Sequence, residues 1–144
     1  MRVADTWSDS LGAPLAIIHK RRDPNVANQV TVNEIVGDVS GRVCLLVDDM
    51  IDTGGTIVKA AEALKKNGAQ RVIVAATHAI FSDPASERLQ SEAIDEVVVT
   101  DTVPVPEHKR FPSLTVLPIA PLLARGIQEV FEDGSVTSMF DGAA

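Results

Sequence analysis

One cysteine, no tyrosine, one tryptophan and four phenylalanines in 144 residues leave several kinds of chemistry without material. Cys44, being alone, can form neither an internal disulfide nor a cysteine-based zinc site. It sits inside an apolar run, where a thiol is a small buried hydrophobe rather than a nucleophile. A reducing, cytoplasmic setting fits that usage. So few aromatic rings argue against a stacking platform for single-stranded nucleic acid. Positive charge is also short: 13 Lys and Arg stand against 20 Asp and Glu, a net charge of −7. That balance argues against nucleic acid or an anionic membrane surface as the main partner. The early apolar run Leu15 to Ile18 is too short for a signal peptide or a spanning helix. Two phosphate-binding signatures are missing as well, Gly-x-x-x-x-Gly-Lys and Gly-x-Gly-x-x-Gly, as are internal repeats.

What is present reads as one domain, with 45% hydrophobic residues to build its core. Val3, Ala4, Trp7 and Leu11 recur at helical spacing, and Gly12 stands where a helix C-cap would. This opening helix has no N-cap before it, so sequence upstream of Met1 is expected. Leu15–Ile18 reads as a short buried strand, followed by the basic run His19–Asn25, which Pro24 marks as a loop. Val30, Val32 and Val36 alternate weakly, as in an edge or antiparallel strand. Strands are expected at Val43–Val47, Val72–Ala76, Val97–Val99 and Leu114–Leu117. Helices are expected from Thr56 to Gly68, from Ser82-Asp83-Pro84 onward, and from Pro121 with Leu122, Leu123, Ile127, Val130 and Phe131 as its apolar face. Strand and helix alternate, which predicts an α/β fold with a mostly parallel central sheet and helices on both faces. Ser135 to Phe140 has strand-like composition.

The most informative stretch is Val43 to Thr56, Val-Cys-Leu-Leu-Val-Asp-Asp-Met-Ile-Asp-Thr-Gly-Gly-Thr. Five apolar residues suit a strand buried on both faces of a parallel sheet, and the run stops at Asp48 and Asp49. Asp52-Thr53-Gly54-Gly55-Thr56 then leads into a helix whose apolar positions Ile57, Ala60, Ala61 and Leu64 mark one face. Strand, small polar loop and helix N-terminus is the layout in which α/β proteins hold phosphorylated ligands. Gly54 and Gly55 permit close backbone approach, and Thr53 and Thr56 add hydroxyl donors. The bland alternative is an ordinary glycine-rich turn capped by Asp52 or Thr53. Paired carboxylates at the end of a buried strand need a partner, such as a sugar diol or Mg²⁺. Alternatively, one caps the turn and the other is solvated. Asp52-Thr53-Gly54 copies the aspartic-protease tripeptide, but it occurs once and among helices, so that reading is set aside.

The stretch as a whole resembles the phosphoribosyl-diphosphate binding signature of type I phosphoribosyltransferase folds. In detail it is most similar to the ribose-phosphate diphosphokinase family. Ala16-Ile-Ile-His-Lys-x-Arg22 resembles that family's flexible catalytic loop. Thr77-His78 with Phe81-Ser82-x-Pro84-Ala85 resembles a shared segment, and Ser135-Val136-Thr137 ending in Phe140 resembles its C-terminal element. The resemblance implies transfer of the β,γ-diphosphoryl group of ATP to the 1-hydroxyl of ribose 5-phosphate, with Mg²⁺. It assigns the 5-phosphate to Asp52, Thr53, Gly54, Gly55 and Thr56, and the ribose hydroxyls to Asp48 and Asp49, directly or through metal. Lys20 and Arg22 would stabilise charge on the transferring phosphoryl oxygens, a role suited to the planar Arg donor fork. Without the resemblance, Lys20-Arg21-Arg22 reads as a solvated surface loop. Ser135, Thr137 and Phe140 would belong to a regulatory element answering to phosphate or ADP, although Ser138 stands where many relatives carry Tyr.

The family pattern has two similar domains, and the segments matched here imply the C-terminal one, ribose 5-phosphate-binding and inactive alone. ATP binding would fall largely on the other half, and homo-oligomerisation is expected of the full-length protein. His19, His78 and His108 read as hydrogen-bonded or exposed, and Arg88 and Arg125 as helix-surface residues. Two other readings stand beside this one. A stand-alone phosphoribosyltransferase would need a base-recognising hood that no segment supplies. A non-catalytic regulatory relative would not need the Lys20, Arg22 and loop residues that are present.

Overall fold

The computed structural model describes residues 2–22 and 30–140, with the backbone alone described for residues 2–3, 19–22 and 30–34. Helix α1 (Arg2–Leu11) opens the chain and stops at Gly12, whose φ of 59° is the left-handed conformation predicted for a glycine C-cap. Strands β1 (Ile17–Arg22) and β2 (Val30–Val36) form an antiparallel two-stranded sheet, with an irregularity between His19 and Lys20. The weak alternation in the second strand was thus a sufficient signal. The basic run was not: His19 to Arg22 continue β1 rather than forming a loop, paired to Glu34, Val32, Thr31 and Val30. Asp23 to Asn25 lie outside the described residues.

The second sheet has four parallel strands in the order β3 (Val43–Ile51), β4 (Arg71–Ala79), β5 (Glu96–Thr100) and β6 (Leu114–Leu117). Between them run α2 (Gly55–Lys66), the one-turn α3 (Ala85–Arg88) and, after β6, α4 (Ala120–Phe131). The α/β class and the parallel sheet agree with the sequence expectation. Alternate strand residues point to opposite faces, and here one face is dry. Val72, Val74, Val97 and Val99 are fully buried, together with Ala61 and Leu64 of α2. All four apolar positions predicted for that helix, Ile57, Ala60, Ala61 and Leu64, are buried. The opposite face is only half covered at Ile73, Ala75 and Val98.

Among the described residues strand β3 pairs only with β4, so it is an edge of this sheet. Val43 and Leu45 are exposed, which corrects the expectation of a strand buried on both faces. Burial pushes the Cys44 thiol above its ordinary value, partly offset by Arg42 and Lys65, as suits an inert half-buried thiol.

Polar contacts fasten the amino ends of the strands. Asp95 accepts from the Val72 N–H at 2.7 Å and pairs with Lys65 Nζ at 2.8 Å, and the same Nζ reaches the Gln70 carbonyl at 3.1 Å. The end of α2 is thereby tied to the starts of β4 and β5. At the other end, Asp101 accepts the Ile119 N–H at 2.8 Å and fixes the entry to α4. Two expectations fail beyond that point. The apolar face of α4 is not buried; Leu122, Leu123, Ile127, Val130 and Phe131 are all exposed, because the helix leaves the sheet edge and meets the terminal 3-10 helix instead. That 3-10 helix, Val136–Phe140, replaces the strand-like reading of the tail.

Candidate functional site

Asp48 and Asp49 lie inside β3 rather than at its end, since the strand continues to Ile51; Asp48 is opposite Ala76 of β4. Both carboxylates are exposed. The desolvation argument for a compensating partner therefore does not apply to them. As neighbours on a strand they point to opposite faces. Asp48 also accepts the Asp49 N–H at 3.0 Å. Asp48 lines a cavity of ≈ 750 Å³ that Thr56 also borders, which puts this carboxylate and the start of α2 on one side of the strand. Residues with a carboxylate on each side of the chain can serve two different ligand groups, but not one in concert.

The loop that follows is built around Gly54. Its φ of 72° is left-handed, and it occupies the N-cap position of α2, so neither Asp52 nor Thr53 caps this helix. Among the described residues no side chain caps that terminus. The first-turn N–H groups and the positive end of the helix dipole are then available to an anion. Asp52, Thr53 and Thr56 are exposed around it, while Gly54 is buried against α3. A Cβ at Gly54 would lie 3.4 Å from Leu89 Cγ, and one at Gly55 would lie 3.4 Å from Arg88 Nη1. These are ordinary contact distances, so it is the left-handed φ of Gly54, rather than lack of space beside α3, that calls for glycine.

The support for this loop comes from residues far away in sequence. Ile51 offers its carbonyl to both the Ile80 and Phe81 N–H groups, at 3.1 and 3.0 Å. Phe81 has a left-handed φ of 49°, uncommon for a bulky residue, and is fully buried. Lys109 Nζ donates to its carbonyl at 2.6 Å, and its ring packs on Phe111 at 6.3 Å. Arg88 Nη1 donates to the Thr53 carbonyl at 3.2 Å. Sequence reasoning took Arg88 for a plain helix-surface residue, because no local spacing links it to residue 53. Arg125 is exposed on α4, as expected. His78 is hydrogen-bonded, its Nδ1 lying 2.8 Å from Thr102 Oγ1 among Thr77, Thr100 and Thr102.

The remaining candidates are more scattered. Lys20 and Arg22 are on β1, and their side chains lie outside the described parts. Ser135 precedes the 3-10 helix that carries Thr137 and Phe140, and all three are exposed. Among the described residues, no group of three or more His, Cys, Asp and Glu could enclose a metal ion.

A family model described as "Phosphoribosyl synthetase-associated domain" matches residues 14–141. The chain belongs to that family. A ribose-phosphate pyrophosphokinase of Streptomyces avermitilis is 62% identical over 141 residues, covering 98% of this chain and 44% of the relative. One from Mycobacterium tuberculosis is 61% identical over 145 residues, again with 44% of the relative covered. The crystal structure of phosphoribosylpyrophosphate synthetase from Mycobacterium smegmatis superposes with a TM-score of 0.81 at 56% identity, over 92% of this chain and 42% of that one. The chain thus spans less than half the length of these relatives, which are enzymes. These matches do not support the expectation that it is specifically their C-terminal half. No described helix is long and apolar enough to cross a membrane.

Proposed function

We propose that this chain supplies the ribose 5-phosphate site of a ribose-phosphate pyrophosphokinase, in which the diphosphoryl group of ATP passes to the sugar's 1-hydroxyl. The observation that carries the reading is the uncapped start of α2 at left-handed Gly54, directly after a strand bearing Asp48 and Asp49. The relatives' shared name supports the substrate class. In this reading the first-turn N–H groups and the hydroxyls of Thr53 and Thr56 hold the 5-phosphate dianion. Asp52 accepts from the loop or the sugar, and Asp48 and Asp49 accept from ribose hydroxyls. Lys20 and Arg22, on β1, stabilise negative charge developing on the transferred group, since phosphoryl transfer depends mainly on positioning and electrostatics.

Mg²⁺ fits this donor set. It takes oxygen ligands, keeps several waters, and is commonly held by one or two carboxylates together with substrate phosphates; Asp48 or Asp49, each exposed and on its own side of the strand, would supply one such carboxylate and not the pair together. When bound it would neutralise phosphate charge. Binding of ATP, homo-oligomerisation, and regulation by phosphate or ADP through Ser135, Thr137 and Phe140 rest on the family resemblance. Because less than half of each relative is matched, these 144 residues alone are expected to bind sugar phosphate and to turn over little.

Calorimetric titration with ribose 5-phosphate tests the reading, comparing the parent chain with Gly55→Val. The variant should lose binding while keeping its melting temperature, since Gly55 has no positive φ and its nearest obstacle is a flexible guanidinium. Equal binding by both would sink the loop assignment. An AMP-release assay should show no full turnover by this chain.

A further inference from the structure

We infer that Arg88 is a positioning residue for the Asp52–Thr56 loop and the source of its fixed positive charge. The inference rests on the sugar-phosphate reading above and deepens it. Four observations converge. Arg88 ends α3, whose Ala85 and neighbouring Leu89 are fully buried, so its backbone is anchored although its side chain is exposed. Its Nη1 donates to the Thr53 carbonyl at 3.2 Å, holding the peptide that precedes Gly54. The same nitrogen lies 3.4 Å from where a Gly55 Cβ would stand, which places the guanidinium against the first residue of α2. Among the described residues no carboxylate pairs with it, whereas four ion pairs form elsewhere on the chain.

A guanidinium has five N–H donors, and the Thr53 carbonyl engages only one nitrogen of this one. An uncompensated planar cation beside an uncapped helix N-terminus is matched to a phosphate: the helix supplies partial charge, and Arg88 supplies a full one. The loop itself contains no Lys or Arg, and Asp52 adds a negative charge that Arg88 can offset. The hydrogen bond to Thr53 also fixes the orientation of the loop peptides before any ligand arrives, so less ordering is needed on binding.

The test is calorimetric titration of ribose 5-phosphate into the parent chain, Arg88→Gln, Arg88→Lys and Gly55→Val, at low and at high ionic strength. Loss of a charged hydrogen-bonding partner weakens binding roughly tenfold or more. Arg88→Gln should show that loss together with a shallower salt dependence, and Arg88→Lys should recover part of the affinity because it restores charge without the fork. Melting temperatures should stay close to the parent's, since the side chain is exposed. A purely structural role would not alter the salt dependence. Arg88→Gln binding as tightly as the parent, or weakened with unchanged salt dependence, would overturn the inference while the loss in Gly55→Val upheld the site. No binding by the parent chain would overturn both.

Discussion

Gly54 and Gly55 are adjacent, yet the structure predicts opposite consequences for replacing them. Gly54 has φ of 72°, so an alanine there must adopt the left-handed conformation, at about 1–2 kcal/mol. Its Cβ would meet Leu89 Cγ at 3.4 Å and Cδ2 at 3.5 Å, ordinary contacts that add little. A smaller unfolded-state entropy gain offsets part of the backbone cost, leaving Gly54→Ala destabilised by roughly 1 kcal/mol. Gly55 begins α2 with no positive φ, and its added Cβ would meet only the end of the Arg88 side chain. Gly55→Ala should therefore be neutral or stabilising by up to about 0.5–1 kcal/mol, as for glycine to alanine in a helix. For a chain of this length 1 kcal/mol shifts the melting temperature by about 3 °C. The two variants should then melt roughly 3–6 °C apart, with Gly54→Ala lower. Ribose 5-phosphate affinity should fall in Gly55→Ala, whose methyl group stands at the first residue of α2 beside Arg88, whereas the Gly54→Ala methyl is directed at Leu89 and away from the ligand. Circular-dichroism melts and calorimetry provide the two readouts. Equal melting temperatures, or a less stable Gly55→Ala, would refute the left-handed cap as the organising feature of the loop.

Further outcomes follow from the packing and charges. Leu89→Ala empties a fully buried site beneath Gly54 and should cost about 2–5 kcal/mol in denaturant unfolding. Asp48→Asn should leave stability unchanged, since the carboxylate is exposed. It should weaken ribose 5-phosphate binding without weakening binding of inorganic phosphate, which has no sugar hydroxyls. The Lys65 ammonium, helped by the Val72 N–H, holds the Asp95 carboxyl below its ordinary value. Its contribution is thus full above the unfolded-state pKa near 4 and disappears as pH falls through the lower native-state value. Asp95→Asn should melt below the parent at neutral pH and converge with it in strong acid. A constant gap across pH would contradict that linkage.

Much of the site was readable because it is contiguous. Residues 48 to 56 span one strand end, one turn and one helix start, and these obey local rules of periodicity and glycine placement. The buried face of α2 was legible for the same reason: Ile57, Ala60, Ala61 and Leu64 repeat at the helical period. Arg88 was not legible, because its hydrogen bond to Thr53 joins residues 35 positions apart. The α4 face misled in the opposite way. Its apolar stripe is real in sequence, but a stripe states that burial is favourable and not what lies opposite.

The sequence by itself determined the alternation of strands and helices, the loop composition that suits phosphate, and the family resemblance that names a sugar phosphate. These depend on neighbours along the chain. Only the tertiary structure decided that β3 is an edge strand, that Gly54 rather than Asp52 or Thr53 caps α2, and that Asp48 and Asp49 are exposed. It also brought Phe81, Lys109 and Arg88 around one turn. Such placements depend on which strands pair and which helices dock. Those choices are made by buried area and hydrogen bonds between distant segments, which no short window of sequence contains.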